Sequence, residues 1–152
     1  MNTKFIELAG EINRSMPQYV VNLTVQALNK KLRSINGSKI LIIGLAYKAN
    51  VDDVRESPAF HLMETLKLDG AEISYYDPHI PEIPPTREHM EWTGLKSISW
   101  EEEIISQFDC VIITTAHDKV IFSDLAKWSD CIVDTRNAMS EIPTAQGQVT
   151  KA

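Results

Sequence analysis

Two short segments of this 152-residue chain gather the side chains that could do chemistry. In the first, Tyr47-Lys48 is followed by Asp52-Asp53-Val54-Arg55-Glu56, an aromatic ring and two cations set among three carboxylates. The second, Thr135-Arg136-Asn137, supplies another cation. Cations beside an aromatic face suit an anion that carries a stackable ring, such as a nucleotide diphosphate. The same charges could equally pair with Asp52, Asp53 and Glu56 as solvated loop salt bridges, which contribute little. His79 and His117 each follow an apolar run and join the candidates, whereas His61 in a helical pattern and His89 in a loop read as structural or solvated. Nothing reads as a catalytic or metal-binding set: G-x-S-x-G and H-E-x-x-H are both absent. Cys110 and Cys131 each open an apolar run, the pattern of core cysteines rather than of a disulfide.

The elements that must position these residues follow the order of parallel α/β units. KILIIG (39–44) is apolar and β-branched throughout, as a strand buried on both faces should be. Ser57-Pro58 supplies an N-cap and a first-turn proline for the helix AFHLMETLKLDG, which Gly70 closes. AEISYYD (71–77) is the second strand, LKSIS reads as a short edge strand, and Ser99 to Glu102 offers a capping box for the helix EEEIISQF. DCVIITT (109–115), the short helix SDLAKW and CIVDT (131–135), read as the last strand, complete the series. Ahead of them Pro17 suits a first helical turn, Val21, Val25, Leu28, Leu32 and Ile35 form one stripe, and Gly37 serves as the residue past the helix end. The expectation is a Rossmann-like, doubly wound parallel sheet of about five strands preceded by a long helix, with residues 1–36 as the helical lead and 37–152 as the body. Ligands in such sheets sit beyond the carboxyl ends of the strands, where Tyr47, Lys48, Arg55, Asp77, His79, His117 and Arg136 all fall.

A formal net charge of -6 argues against a generally nucleic-acid-binding surface. No apolar stretch approaches the roughly 18 residues of a membrane helix, and the charged N-terminus is unlike a signal peptide, so a cytoplasmic protein is expected. The turn after the first strand holds one glycine where dinucleotide-binding domains carry G-x-G-x-x-G, and no P-loop is present.

Together GLAYKANVDDVRESPA, YYDPHIP and VDTRNA closely resemble the C-terminal domain of the UDP-glucose/GDP-mannose dehydrogenase family. FIELAGEINRSMP resembles the helical segment ahead of it in the UDP-N-acetylhexosamine 6-dehydrogenase branch. The resemblance implies a UDP-sugar-binding domain of an enzyme that oxidises the sugar C6 alcohol to a carboxylate in two hydride transfers to NAD, through adducts on a cysteine. By matching position, Lys48 contacts the substrate near its diphosphate, Tyr47 lies by the uracil, Arg136 contacts the nucleotide end and Arg55 reaches toward bound NAD. Residues 1–36 then correspond to the end of the central, dimer-forming helical domain, and a homo-oligomer is implied. The family's cysteine and its NAD fingerprint belong to segments that this sequence does not contain. A piece of such an enzyme, inactive by itself, is therefore expected; a stand-alone nucleotide-binding or regulatory module is the alternative.

Overall fold

The computed structural model describes the backbone from Thr3 to Ala152 and side chains from Met16 onward. A long helix α1 (Thr3–Lys30) precedes β1 (Lys39–Ile43), α2 (Ala59–Leu68) and β2 (Glu72–Tyr76). A single 3-10 turn (Met90–Trp92), α3 (Glu102–Ile105), β3 (Cys110–Ile113), α4 (Phe122–Trp128), β4 (Ile132–Asp134) and β5 (Val149–Lys151) follow. The strands form one sheet in the order β2-β1-β3-β4-β5, every neighbouring pair parallel. Strand order reverses between β1 and β3, which makes the crevice above their carboxyl ends the switch point.

The apolar runs of β1, β3 and β4 are buried on both faces because helices cover both sides. One face packs Ile40, Ile42 and Cys110 with α2 and the C-terminal half of α1; the other packs Leu41, Ile43 and Val111 with Ile105 and Leu125 of α3 and α4. Val21 and Leu28 of α1 lie fully within the first cluster, each contributing about 1.5–3 kcal/mol by leaving water. Cys110 and Cys131 are free and buried. The Cys110 thiol is held well above its ordinary range by its hydrogen bond with Cys131 and by burial, so it behaves as a core thiol.

The helical lead departs from its sequence reading in three ways. Pro17 sits inside α1 rather than in its first turn. The helix stops at Lys30, where Leu32 adopts φ 59 and a Schellman turn forms: Arg33 N–H donates to Leu28 O at 2.9 Å and Leu32 N–H to Asn29 O at 3.0 Å. Leu32 thus leaves the apolar stripe and stands 96% exposed. Gly37 instead turns the chain into β1, its N–H donating to Gly70 O at 2.9 Å. A leucine at a left-handed position in open solvent carries the strain with no packing to offset it, so Leu32→Gly is expected to stabilise the chain by about 1 kcal/mol, read by urea denaturation. A destabilised variant would mean that this turn is not kept in solution.

At the start of α2 the Ser-Pro pair behaves as its chemistry predicts: Ala59 N–H donates to Ser57 Oγ at 3.2 Å while Pro58 already has helical dihedrals. The capping box at Ser99 does not form, since α3 begins two residues later, after an extended Glu101. LKSIS is not a ladder strand; it makes one antiparallel bridge, Glu82 to Lys96, and flanks β2 through Ile98 N–H to Tyr75 O at 2.9 Å. CIVDT is not the last strand. The fifth is β5, in the polar tail, and it is secured by Gln148, whose Nε2 donates to Ala126 O at 2.7 Å and Ser129 O at 2.6 Å. Arg33, just past α1, pins that helix under the sheet by donating to Asp109 O at 3.0 Å and to both oxygens of Asp130 at 3.2 Å.

Candidate functional site

The rim is assembled from the loops that leave β1, β2, β3 and β4. Gly44, the single glycine of the first turn, has φ 89 and lies so close to Thr115 that a Cβ would sit 2.4 Å from its carbonyl oxygen. Its role is therefore the crossing of two backbones at the switch point, in keeping with the absence of further glycines for a pyrophosphate. Thr115 Oγ1 then donates to Ala46 O at 2.8 Å, which ties the β1 and β3 loops together.

Two buried carboxylates hold the loops. Asp77, at the end of β2, accepts from Leu45 N–H at 2.8 Å, Ala46 N–H at 3.3 Å, His79 N–H at 2.8 Å and the His117 ring at 2.9 Å. Asp134, the last residue of β4, accepts from the N–H groups of Arg136 at 3.0 Å, Ala138 at 3.1 Å and Met139 at 2.8 Å. Buried carboxylates that receive this many amides fix backbone geometry, because removing either would leave its donors unpaired in the interior. His117 is fully buried and belongs to this scaffold, which withdraws it from the ligand candidates of the rim. His79 is half-buried, its ring edge-on to His117 at 4.6 Å. His61 and His89 read as structural or solvated: His61 is exposed on α2, and His89 stacks on Phe60 with Nδ1 2.5 Å from Glu64 Oε1.

The expected ligand residues are placed unequally. Tyr47 is 52% exposed and Lys48 stands in solvent beside it, without an ion pair among the described residues. Arg55 is already engaged: its Nε and Nη2 donate to the two oxygens of Asp53 at 3.0 and 2.9 Å. That bidentate bond holds the Asp53 carboxyl down at about 2. For Arg55 the loop salt bridge weighed from sequence is what forms. Arg136 is steadied by Nε donating to Thr114 O at 2.9 Å, and it lines an open cleft of about 420 Å³ with Asp134, Thr135, Asn137, Lys151 and Ala152. Lys151 was not foreseen, because it enters the rim only through β5, whose sequence carries no strong period. Tyr47, Lys48 and Arg55 do not line that cleft; they stand on the neighbouring loop, linked to it through Thr114, Thr115 and Ala46. Among the described residues no group of histidine, cysteine and carboxylate side chains could hold a metal, and no helix is long and apolar enough to cross a membrane.

Sheet order, buried scaffold and a switch-point loop with lysine and tyrosine define a doubly wound α/β domain distinct from the glycine-rich dinucleotide binders. The chain belongs to the UDP-glucose/GDP-mannose dehydrogenase family: residues 41–141 match its UDP binding domain. It is 40% identical over 126 residues to the UDP-N-acetyl-D-mannosamine dehydrogenase of Methanococcus maripaludis strain S2, an alignment covering 83% of this chain and 26% of that protein. The UDP-D-ManNAc dehydrogenase of Pyrococcus horikoshii superposes on 99% of this chain, using 34% of its own, with a TM-score of 0.76 at 26% identity. The UDP-N-acetyl-mannosamine dehydrogenase Cap5O of Staphylococcus aureus does so over 99% of this chain and 33% of its own, with a TM-score of 0.67 at 30% identity. The chain thus spans about a quarter to a third of the length of these relatives.

Proposed function

We propose that this chain holds the UDP moiety of a UDP-sugar for an NAD-dependent UDP-N-acetylhexosamine (or UDP-glucose) 6-dehydrogenase, which oxidises the sugar C6 alcohol to a carboxylate in two hydride transfers. The observation that carries this reading is the match of residues 41–141 to a UDP binding domain, on a sheet whose rim presents Lys48, Tyr47 and Arg136 around the switch point. In this reading Lys48 and Arg136 neutralise the diphosphate, and Tyr47 offers an exposed ring to the uracil. The name borne by three of the compared proteins, UDP-N-acetylmannosamine dehydrogenase, favours an N-acetylated hexose. The alignment of the two solved structures over 99% of the chain, α1 included, favours a dehydrogenase over a stand-alone module. Residues 1–36 then act as the end of a central helical segment through which two copies associate, in the cytoplasm.

Among the described residues, the switch-point loop does not build a dinucleotide site. Leu45-Ala46-Tyr47 follows Gly44 where a pyrophosphate turn needs glycines, and Arg55 is held by Asp53. NAD is therefore assigned mainly to another part of the enzyme, toward which Arg55 reaches, and these residues carry out no hydride transfer. Both cysteines are buried where β3 and β4 begin, at the ends of those strands opposite the rim. Titration calorimetry of the 152-residue chain should detect UDP and UDP-N-acetylhexosamine and no NAD, and the chain should form no NADH from UDP-N-acetylhexosamine or UDP-glucose. Absence of UDP binding at millimolar ligand, or turnover by chain free of full-length enzyme, would sink the reading.

A further inference from the structure

The loop that carries Tyr47 and Lys48 is suspended at both ends from one buried pair. Asp77 and His117 have no exposed side-chain surface, and they come from the loops after β2 and β3, 40 residues apart. At the root of the loop, Leu45 and Ala46 donate their N–H groups to Asp77 Oδ2. At its far end, Asn50 N–H donates to His117 Nδ1 at 2.8 Å. Asp77 Oδ2 already receives two backbone amides, so His117 Nε2 must be the donor of the 2.9 Å bond between them. Nδ1 is then the acceptor that Asn50 requires, and the neighbours select one imidazole tautomer. Asn50 itself has φ 67, and its carboxamide clasps Asp118 on the loop that carries His117: Nδ2 donates to Asp118 Oδ2 at 3.1 Å and Oδ1 accepts from Asp118 N–H at 2.9 Å. Only Tyr47, Lys48 and Ala49 lie between the two anchor points.

We propose that His117 is the positioning residue for Lys48: by accepting from Asn50 N–H it fixes the far end of the loop, whose root Asp77 already holds, before a nucleoside diphosphate arrives, so that binding does not have to order it. Holding a binding loop in its bound geometry raises affinity by removing the entropy otherwise lost on association. The inference rests on the reading that Lys48 meets the diphosphate.

Two substitutions separate the two bonds. Asparagine places an amide oxygen near the position of Nδ1 and can keep Asn50 while giving up Asp77; glutamine reaches toward Asp77 with an N–H near the position of Nε2 and gives up Asn50. His117→Gln is expected to weaken UDP binding about five- to tenfold and to speed exchange of the Asn50 amide by a similar factor, while His117→Asn stays within about twofold on both. Leu41 to Ile43 amides, unchanged in either variant, report that the sheet is intact. Wild-type UDP affinity in the glutamine variant, or equal losses in both, would overturn the positioning role. The wild-type imidazole provides a measurement that needs no variant: nitrogen NMR should show it neutral and protonated on Nε2, and protonation on Nδ1 would also overturn it. Lys48→Ala measured alongside keeps the two readings apart. If it weakens UDP binding while His117→Gln does not, only the positioning role falls; if Lys48→Ala binds UDP normally, the diphosphate reading fails and this inference with it.

Discussion

Replacing Lys48 or Arg136 by alanine should each lower UDP affinity about ten- to a hundredfold, whereas Arg55→Ala should leave it within about twofold. A charge-assisted contact to a phosphate oxygen typically contributes about 1.5–3 kcal/mol, which sets the size of the first two effects. The contrast comes from how the three cations are held. Lys48 has no ion pair among the described residues, and Arg136 uses only Nε on Thr114 O, which leaves the outer edge of its guanidinium for a ligand. Arg55 would have to give up a bidentate bond to Asp53 before it could meet any other anion. Calorimetric titration of UDP into the three variants at two salt concentrations checks the order. Equal losses at all three positions, erased by salt, would indicate a merely basic rim, where exposed charges are screened over about 8–10 Å.

Gly44→Ala should destabilise the chain by about 3–5 kcal/mol, a large part of what a domain of this size possesses. Two costs coincide there. The backbone stands at φ 89, where a side chain is strained, and the new Cβ would lie 2.4 Å from Thr115 O and 2.9 Å from Thr115 Cα. Those are backbone atoms of the strand-end crossing and cannot swing aside as a flexible side chain would. Thermal or urea unfolding measures the loss. A variant as stable as wild type would show that β1 and β3 cross less tightly at the switch point. Gly37 also has positive φ, but an added methyl there would meet no atom within 4 Å, so the same change would carry only the backbone share of the cost.

Local composition was enough to set the class of the fold and the order of its parts. ILII, CVII and IV are short apolar runs rich in β-branched residues, suited to strands covered on both faces, and their alternation with helical segments pointed to parallel pairing. Motif order located the rim, because strand ends in a doubly wound sheet must converge at one edge, and it placed Tyr47, Lys48 and Arg136 there with the family to which they belong. What each rim residue is free to do was settled by contacts made across the chain. Whether Arg55 binds Asp53 or a ligand depends on a rotamer and a loop turn, which residue type does not encode. His117 reads like an exposed loop histidine until Asp77 and Asn50, 40 and 67 residues away, enclose it. Leu32 keeps helical spacing but leaves the helix, and QVTK becomes β5 only because β4 offers a free edge and Gln148 finds carbonyls at Ala126 and Ser129. Periodicity records which face of a segment is apolar; partners brought together from distant parts of the chain settle where a polar side chain ends, and that is why the sheet could be read in advance and the scaffold beneath its binding loop could not.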